Sequence, residues 1–120
     1  MNWSEWEATT FVQTKNNRAV KFLSDFRKLN KIVRRKKNLI PEIQYMLLNL
    51  EGLTYASYWD LNMGYYHIEL SLGAKQICTI VLPWGKYKYQ KLHMGVCNSS
   101  DIFQEKISEL FDRFDMVRAC

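Results

Sequence analysis

Asp60 is the residue whose type and setting best suit chemistry, because a carboxylate directly follows a run of apolar and aromatic residues. Residues 53–59 alternate in the manner of a β-strand buried on at least one face, and Asn62 and Gly64 interrupt that pattern. A carboxylate at a strand exit, followed by a glycine that lets backbone approach a ligand, suits a hard cation beside phosphate oxygens. An aspartate that begins a turn or caps a helix fits equally well, and this segment alone leaves both interpretations open.

Two basic patterns suit binding to an anionic backbone. The run from Arg27 to Lys37 is densely basic, and lysines alternate with tyrosines over residues 86–91. Each phosphate that a basic side chain neutralises releases counterions, which favours binding at low salt. A solvated face, or an antiparallel hairpin with one wet face, would show the same patterns. The nucleic-acid-binding candidates are Arg34, Arg35, Lys36, Lys37, Lys86 and Lys88.

The composition limits the chain to one globular domain with a modest core, since it has 120 residues, 48% hydrophobic and 24% charged, and a formal charge of +5. No apolar run approaches the roughly 18 residues that span a bilayer, and the first residues do not resemble a signal peptide. We therefore predict an intracellular protein, cytoplasmic or nuclear, without a membrane partner. Cys78, Cys97 and Cys120 have no metal-ligand spacing, which predicts free thiols and no zinc site.

The elements that position these candidates predict an α+β fold, with an antiparallel sheet packed on helices. Phe11 to Leu23 predicts a hairpin with a basic tip, and two strand patterns at 78–82 and 86–90 flank a turn. The periodicity predicts a core helix from Pro41 to Leu50 and a second helix from Asp101 to Phe114. The predicted buried positions of these helices are Ile43, Met46, Leu47 and Leu50, and Ile102, Phe103, Ile107, Leu110, Phe111 and Phe114.

Several blocks of the sequence resemble reverse transcriptases, most closely those of gypsy-type LTR retrotransposons. Residues 58–70 resemble the first catalytic motif of that family, and residues 24–30, 79–87 and 94–104 match flanking blocks in the family's order. The resemblance covers nearly the whole chain, and several ordered blocks are more specific than any one of them. It implies a fingers portion at about 1–50 and 72–92 and an incomplete palm at about 53–71 and 93–120.

The resemblance implies RNA-directed DNA polymerisation that depends on two magnesium ions, with Asp60 as the catalytic carboxylate. Asp60 and the backbone carbonyl of Leu61 would be metal ligands, and the partners would be an RNA or DNA template-primer and deoxynucleoside triphosphates. Tyr65 falls on the family's steric gate, where a ring excludes the 2′-hydroxyl, although a half-buried core tyrosine remains an alternative. The nucleotide-binding positions implied by the resemblance are Lys15, Lys21, Leu61, Met63, Gly64, Tyr65, Met94 and Gly95.

The chain also departs from the family. Arg18 stands where the family usually turns on glycine, so a turn that needs positive φ would be strained. His93 and Ser100 stand where proline is usual, which predicts a looser nucleotide loop. Cys120 falls on the tyrosine of the family's Tyr-x-Asp-Asp motif, so the two further carboxylates are missing. We therefore expect a fragment that binds weakly and does not polymerise; a non-catalytic nucleic-acid-binding remnant of a retroelement, or a chain that does not fold stably, remains an alternative.

Overall fold

The structure, a computed structural model, describes residues 4–36, 42–50 and 52–119. The predictions made for Lys37, Pro41 and Cys120 lie outside these residues. The elements in chain order are β1 (Ala8–Thr14), β2 (Val20–Ser24), α1 (Arg27–Asn30), α2 (Ile43–Leu48), a 3-10 helix (Gly64–His67), α3 (Leu72–Ile77), β3 (Thr79–Leu82), β4 (Gly85–Lys88) and α4 (Ser99–Phe111).

Four strands form one mixed sheet in the order β2-β1-β3-β4. The pairs β1–β2 and β3–β4 are antiparallel hairpins, as the sequence predicts. The two hairpins join through a short parallel contact, in which Ala8 lies opposite Ile80 and Thr9 opposite Val81. The α+β class is confirmed, with one parallel junction inside the sheet.

The tip of the first hairpin is a tight turn with a bulge. The Arg18 N–H donates to the Lys15 carbonyl at 3.0 Å, and the Lys15 N–H donates to the Ala19 carbonyl at 2.7 Å. This geometry requires a left-handed residue at position 18, where Arg18 has φ 62°. A side chain other than glycine costs about 1–2 kcal/mol in that conformation, so the predicted strain is present.

The core lies where the sheet meets α1. Ala8, Phe26, Leu29, Cys78 and Ile80 are buried there, and partly buried apolar side chains pack around them. Because β1 and β3 are neighbours, residues more than 70 positions apart share this core. The sheet and α1 therefore enclose the hydrophobic core of the described residues.

The predicted strand at residues 53–59 is wrong. These residues have no regular secondary structure, and Tyr55 and Trp59 are 90% and 86% exposed. No strand in the described part of the chain pairs with this segment, and an unpaired extended segment leaves its N–H and C=O groups to water. Asp60 consequently follows an exposed coil.

The two predicted helices are confirmed as helices, but four of their ten predicted buried positions are exposed. On α2, Ile43 and Leu47 are exposed, and on and after α4, Leu110 and Phe114 are exposed. None of the elements described here covers these faces, because the 3-10 helix is the main neighbour of α4 and α2 has no comparable one. An amphipathic pattern predicts the helix but not the partner that would bury its apolar stripe.

Helix α3 was not predicted from the sequence. It begins after Ser71, whose hydroxyl accepts the Ala74 N–H at 3.3 Å, an N-cap that the Ser-Leu-Gly-Ala order could have signalled. Within the described residues, no helix has the length and apolar character needed to cross a bilayer.

Candidate functional site

Asp60 is exposed, and its carboxylate makes no hydrogen bond or ion pair with the described residues. Leu61 beside it is also exposed. The described residues contain no group of three or more His, Cys, Asp or Glu side chains that could hold a metal ion. Asp60 and the Leu61 carbonyl could supply ligands to a hard cation, but the residues described here do not by themselves form a two-ion magnesium site.

Gly64 and Tyr65 are brought onto α4 by the 3-10 helix. The Tyr65 ring meets the Phe103 ring edge to face, with 5.2 Å between their centroids. A Cβ at Gly64 would lie 2.6 Å from the Phe103 ring, so only glycine fits at this approach. Met63, just before, has a left-handed φ of 53°. The requirement for glycine at position 64 thus comes from packing, and the half-buried Tyr65 stands on a support that fixes its ring.

The loop at residues 93–98 is held by the side chain of Asn30. The Asn30 amide donates to the Gly95 carbonyl and accepts the Cys97 N–H, each at 2.9 Å. On the other side, the Ser99 hydroxyl donates to the His93 carbonyl, and Asn98 donates to the Arg34 carbonyl at 3.2 Å. These four hydrogen bonds hold the loop against its neighbours, and the looser loop predicted from His93 and Ser100 stays a prediction.

Gly95 also depends on close packing. A Cβ there would lie 2.8 Å from the Phe26 ring and 3.2 Å from the Ser24 carbonyl oxygen. The neighbouring Met94 side chain is about half exposed. The loop therefore presses its backbone against the end of β2 and directs Met94 outward, where a ligand could reach it.

His93 is a buried histidine whose ring contacts two aromatic rings. Its ring centroid lies 4.4 Å from that of Phe26 and 4.0 Å from that of Tyr89. Nδ1 accepts the Gly95 N–H at 3.2 Å, while Nε2 has no hydrogen-bond partner among the described residues. Burial lowers the His93 pKa from 6.5 to about 4, because the charged form loses its hydration. The imidazole is therefore neutral at pH 7 and serves as a packing residue.

Two cations of the basic run are paired with α4. Arg35 Nε donates to Asp101 Oδ2 at 2.7 Å, and Lys36 Nζ lies 3.4 Å from Glu105 Oε1. Arg34 is exposed, and its side chain contacts no partner among the described residues. The run is therefore a segment docked on a helix, with both paired and unpaired cations on its surface.

The other predicted lysines lie along the sheet. Lys15 is exposed at the hairpin tip, and Lys21 is half-buried in β2 opposite Gln13. On β4, the Lys86 ammonium contacts the Glu7 carboxylate, and Lys88 is half-buried opposite Thr79. The structure thus brings Gly64 and Tyr65 against α4, and it brings the loop at residues 93–98 against the basic run. The lysines of the two hairpins lie apart from both groups.

A cleft of about 500 Å³ lies between the segment before β1, the start of α1 and β3. None of the predicted site residues lines it. Of its carboxylates, Asp25 pairs with Arg27 at 2.6 Å and Glu7 with Lys86. The Arg27 hydrogen bonds lower the Asp25 pKa to about 2, so this pair is structural.

Sequence analysis missed Asn30 and Asp101. Asn30 acts on residues 65 and 67 positions away, and Asp101 acts on a residue 66 positions away. No local pattern signals such contacts. Asp101 was predicted only as the start of a helix, although it is buried, with 3% of its surface exposed.

The fold of this chain is similar to that of solved reverse transcriptases. A foamy viral protease-reverse transcriptase in complex with double-stranded DNA matches 98% of this chain and 21% of its own, with a TM-score of 0.85 and 19% identity. The same viral enzyme in complex with an RNA/DNA hybrid matches 99% of this chain and 16% of its own, with a TM-score of 0.84 and 18% identity. The chain has the reverse transcriptase fold.

The sequence relatives are Pol-type polyproteins. The "Putative enzymatic polyprotein" of Cassava vein mosaic virus is 31% identical over 87 residues, 72% of this chain. The "Retrovirus-related Pol polyprotein from transposon gypsy" of Drosophila melanogaster is 31% identical over 86 residues, also 72% of this chain. The chain spans 13% and 8% of the length of these two relatives. No family model matches the sequence. The predicted resemblance to reverse transcriptases is confirmed, in the sense that the chain's homologues are reverse transcriptase and Pol proteins.

Proposed function

We propose that this chain is the fingers and partial palm of a gypsy-type retrotransposon reverse transcriptase, and that it binds a template-primer without polymerising. The observation that carries the proposal is the agreement of 98% of the chain with a reverse transcriptase bound to double-stranded DNA. The identity of 31% to the gypsy Pol polyprotein supports the narrower assignment. The free thiols of Cys78 and Cys97 are compatible with a reducing, intracellular location.

The proposed nucleic-acid surface is formed by the basic run docked on α4, with the lysines of β4 as a second contact. Lys86 and Lys88 lie on one face of β4, because strand side chains alternate. The proposed nucleotide contacts are Tyr65, whose ring is braced by Phe103, and Met94, which the pinned loop leaves exposed. Lys15, Lys21, Met63, Gly64 and Gly95 complete the proposed nucleotide surface.

The proposed lack of polymerase activity follows from the surroundings of Asp60. In the family, two magnesium ions activate the primer hydroxyl and stabilise the leaving pyrophosphate. The described residues bring no cluster of carboxylates to Asp60 that could hold two such ions. Asp60 and Leu61 would contribute to such a site only if further ligands came from elsewhere.

Binding is tested by fluorescence polarisation with a labelled RNA-DNA hybrid over a range of salt concentrations. We expect the logarithm of the affinity to fall linearly with the logarithm of salt, with a slope that reports the phosphates neutralised. Charge reversal at Arg34 and Lys36 should weaken binding and lower the slope, whereas Asp60→Ala should leave both unchanged. Binding that is absent even at low salt would contradict the proposal.

Catalysis is tested by primer extension with magnesium and the four deoxynucleoside triphosphates. We expect no extension, together with retained binding. Extension that Asp60→Ala abolishes would show that the chain is an active polymerase. Retained binding without extension and without any effect of nucleotide would favour the second candidate, a non-catalytic nucleic-acid-binding protein, which the docked basic run also supports.

A further inference from the structure

Among the ion pairs of the described residues, the pair between Arg35 and Asp101 contains the most deeply buried partner. The Asp101 side chain is 4% exposed, whereas the Arg35 side chain is 48% exposed. Asp101 lies in the first turn of α4, where the helix dipole favours a negative charge. The carboxylate is thus a fixed part of the helix, and the guanidinium is held on it at the surface.

The contact uses only one nitrogen of the guanidinium. Arg35 Nε donates to Asp101 Oδ2 at 2.7 Å, and the two terminal nitrogens have no partner among the described residues. The guanidinium group is planar, so fixing Nε also fixes the direction of the terminal pair. Two parallel N–H donors at that end match two oxygens of a phosphate.

We propose that Arg35 is the phosphate-binding fork of the nucleic-acid surface and that Asp101 is the residue that positions it. This inference rests on the proposed function, and it assigns the ordered phosphate contact within the basic run to one residue. Arg34, whose side chain has no partner among the described residues, must lose rotamer freedom when it binds a phosphate. Arg35 has already lost that freedom to Asp101, so its phosphate contact costs less.

Lysine could not perform both tasks at position 35. Its single ammonium would be held by Asp101, whereas arginine offers Nε to the carboxylate and its terminal nitrogens to the ligand. Arg35→Lys therefore keeps the charge of the segment and the ion pair but removes the fork. Arg34→Lys is the matched control, since it makes the same chemical change at the adjacent exposed position.

The test is fluorescence polarisation with a labelled RNA-DNA hybrid, with thermal melts to confirm folding. We expect Arg35→Lys to raise the Kd about fivefold to tenfold and Arg34→Lys to raise it less than about twofold. Asp101→Asn should weaken binding although Arg35 is intact. In the double variant, Arg35→Lys should raise the Kd little further, because either substitution alone already removes the same fork. Equal losses in the two lysine variants would overturn the fork while leaving nucleic-acid binding in place.

A second measurement on the unaltered chain keeps the inference testable if the variants fold poorly. The Nε–H resonance of Arg35 should be observable because Asp101 holds that proton, and it should shift when the hybrid is added. An unshifted resonance under conditions where polarisation reports binding would overturn the role of Arg35. Absence of any polarisation change would instead count against the proposed function itself.

Discussion

The segment from α2 to Asp60 is richer in apolar residues than the sheet with α1, yet its apolar side chains are far more exposed. Around the sheet and α1, Phe26, Leu29 and Ile80 are 3%, 6% and 7% exposed. In the segment from α2 to Asp60, Leu48 and Trp59 are 77% and 86% exposed. The difference shows that apolar pattern determines what a segment can bury, whereas a facing element determines what it does bury.

Helix α4 shows the same contrast within one element. Its first turns bury Ser99, Asp101 and Gln104, because the loop at 93–98 and the basic run dock there. Its last turn leaves Leu110 66% exposed. Polar side chains are thus more buried than apolar ones on the same helix, since tertiary contacts reach only its amino-terminal half.

The largest expected effect tests this contrast with the same substitution in each region. Leu29→Ala removes a buried side chain and should lower the free energy of unfolding by about 2–5 kcal/mol. Leu48→Ala removes a side chain already in water and should change it by less than about 0.5 kcal/mol. Urea unfolding followed by circular dichroism measures both. Similar losses in the two variants would mean that Leu48 is buried in solution.

The sequence predicts elements whose determinants are local. Both hairpins, α2 and α4 follow from alternation, helical periodicity and turn residues. The strand at 53–59 was wrong although its alternation is good, because a strand also needs a hydrogen-bonded neighbour. The short parallel contact of β1 with β3 could not be predicted, since it joins residues more than 70 positions apart.

The candidate site likewise has residues that local motifs predict and residues that they do not. The motifs predict Tyr65, Gly95 and the basic run as site residues, and these stay predictions; the structure shows which ring supports Tyr65 and which side chain holds the loop. The supporting residues Asn30 and Asp101 could not be found, because their partners are distant in sequence. Positions 64 and 95 illustrate the limit, since glycine there is explained by contacts with Phe103 and Phe26.

The next effect is a pH dependence of stability, which we expect from His93 because it is a buried titratable group. Its pKa is about 4 in the folded chain and 6.5 when exposed, so the unfolded state binds the extra proton between these values. Stability should therefore be full above about pH 6.5 and fall as pH decreases toward 4, by about 3 kcal/mol in total. Unfolding by urea at a series of pH values measures the loss.

The control compares the buried His93 with the exposed His67. His93→Phe keeps a ring against Phe26 and Tyr89 but cannot titrate, so its free energy of unfolding should not show the loss of about 3 kcal/mol that the unaltered chain shows between pH 6.5 and 4. His67→Gln, at an exposed position, should retain the pH dependence. A curve for His93→Phe that runs parallel to that of the unaltered chain would contradict the assignment of the effect to His93.

A smaller effect is expected at the tip of the first hairpin, outside the core. Arg18→Gly should raise the free energy of unfolding by about 0.5–1 kcal/mol, because glycine adopts φ 62° without strain. Asn16→Gly, in the same turn without positive φ, should lower it slightly through the entropy of the unfolded chain. Thermal melts compare the two. Destabilisation by Arg18→Gly would mean that the arginine side chain makes a stabilising contact in solution.

The smallest effect compares the two halves of α4 through nucleic-acid affinity. Glu105 pairs with Lys36 of the basic run, whereas Glu109 pairs with Lys106 of its own helix at 3.0 Å. Glu105→Gln and Glu109→Gln remove the same charge, but only the first frees a cation of the proposed surface. We expect the Kd for a labelled hybrid to be about twofold lower for Glu105→Gln than for Glu109→Gln. The salt dependence of Glu105→Gln should also be steeper, by up to about one counterion.

Both pairs are exposed, so neither substitution should shift the melting temperature appreciably. Equal changes in affinity would show that only the net charge of α4 matters, and that phosphate does not compete with Glu105 for Lys36.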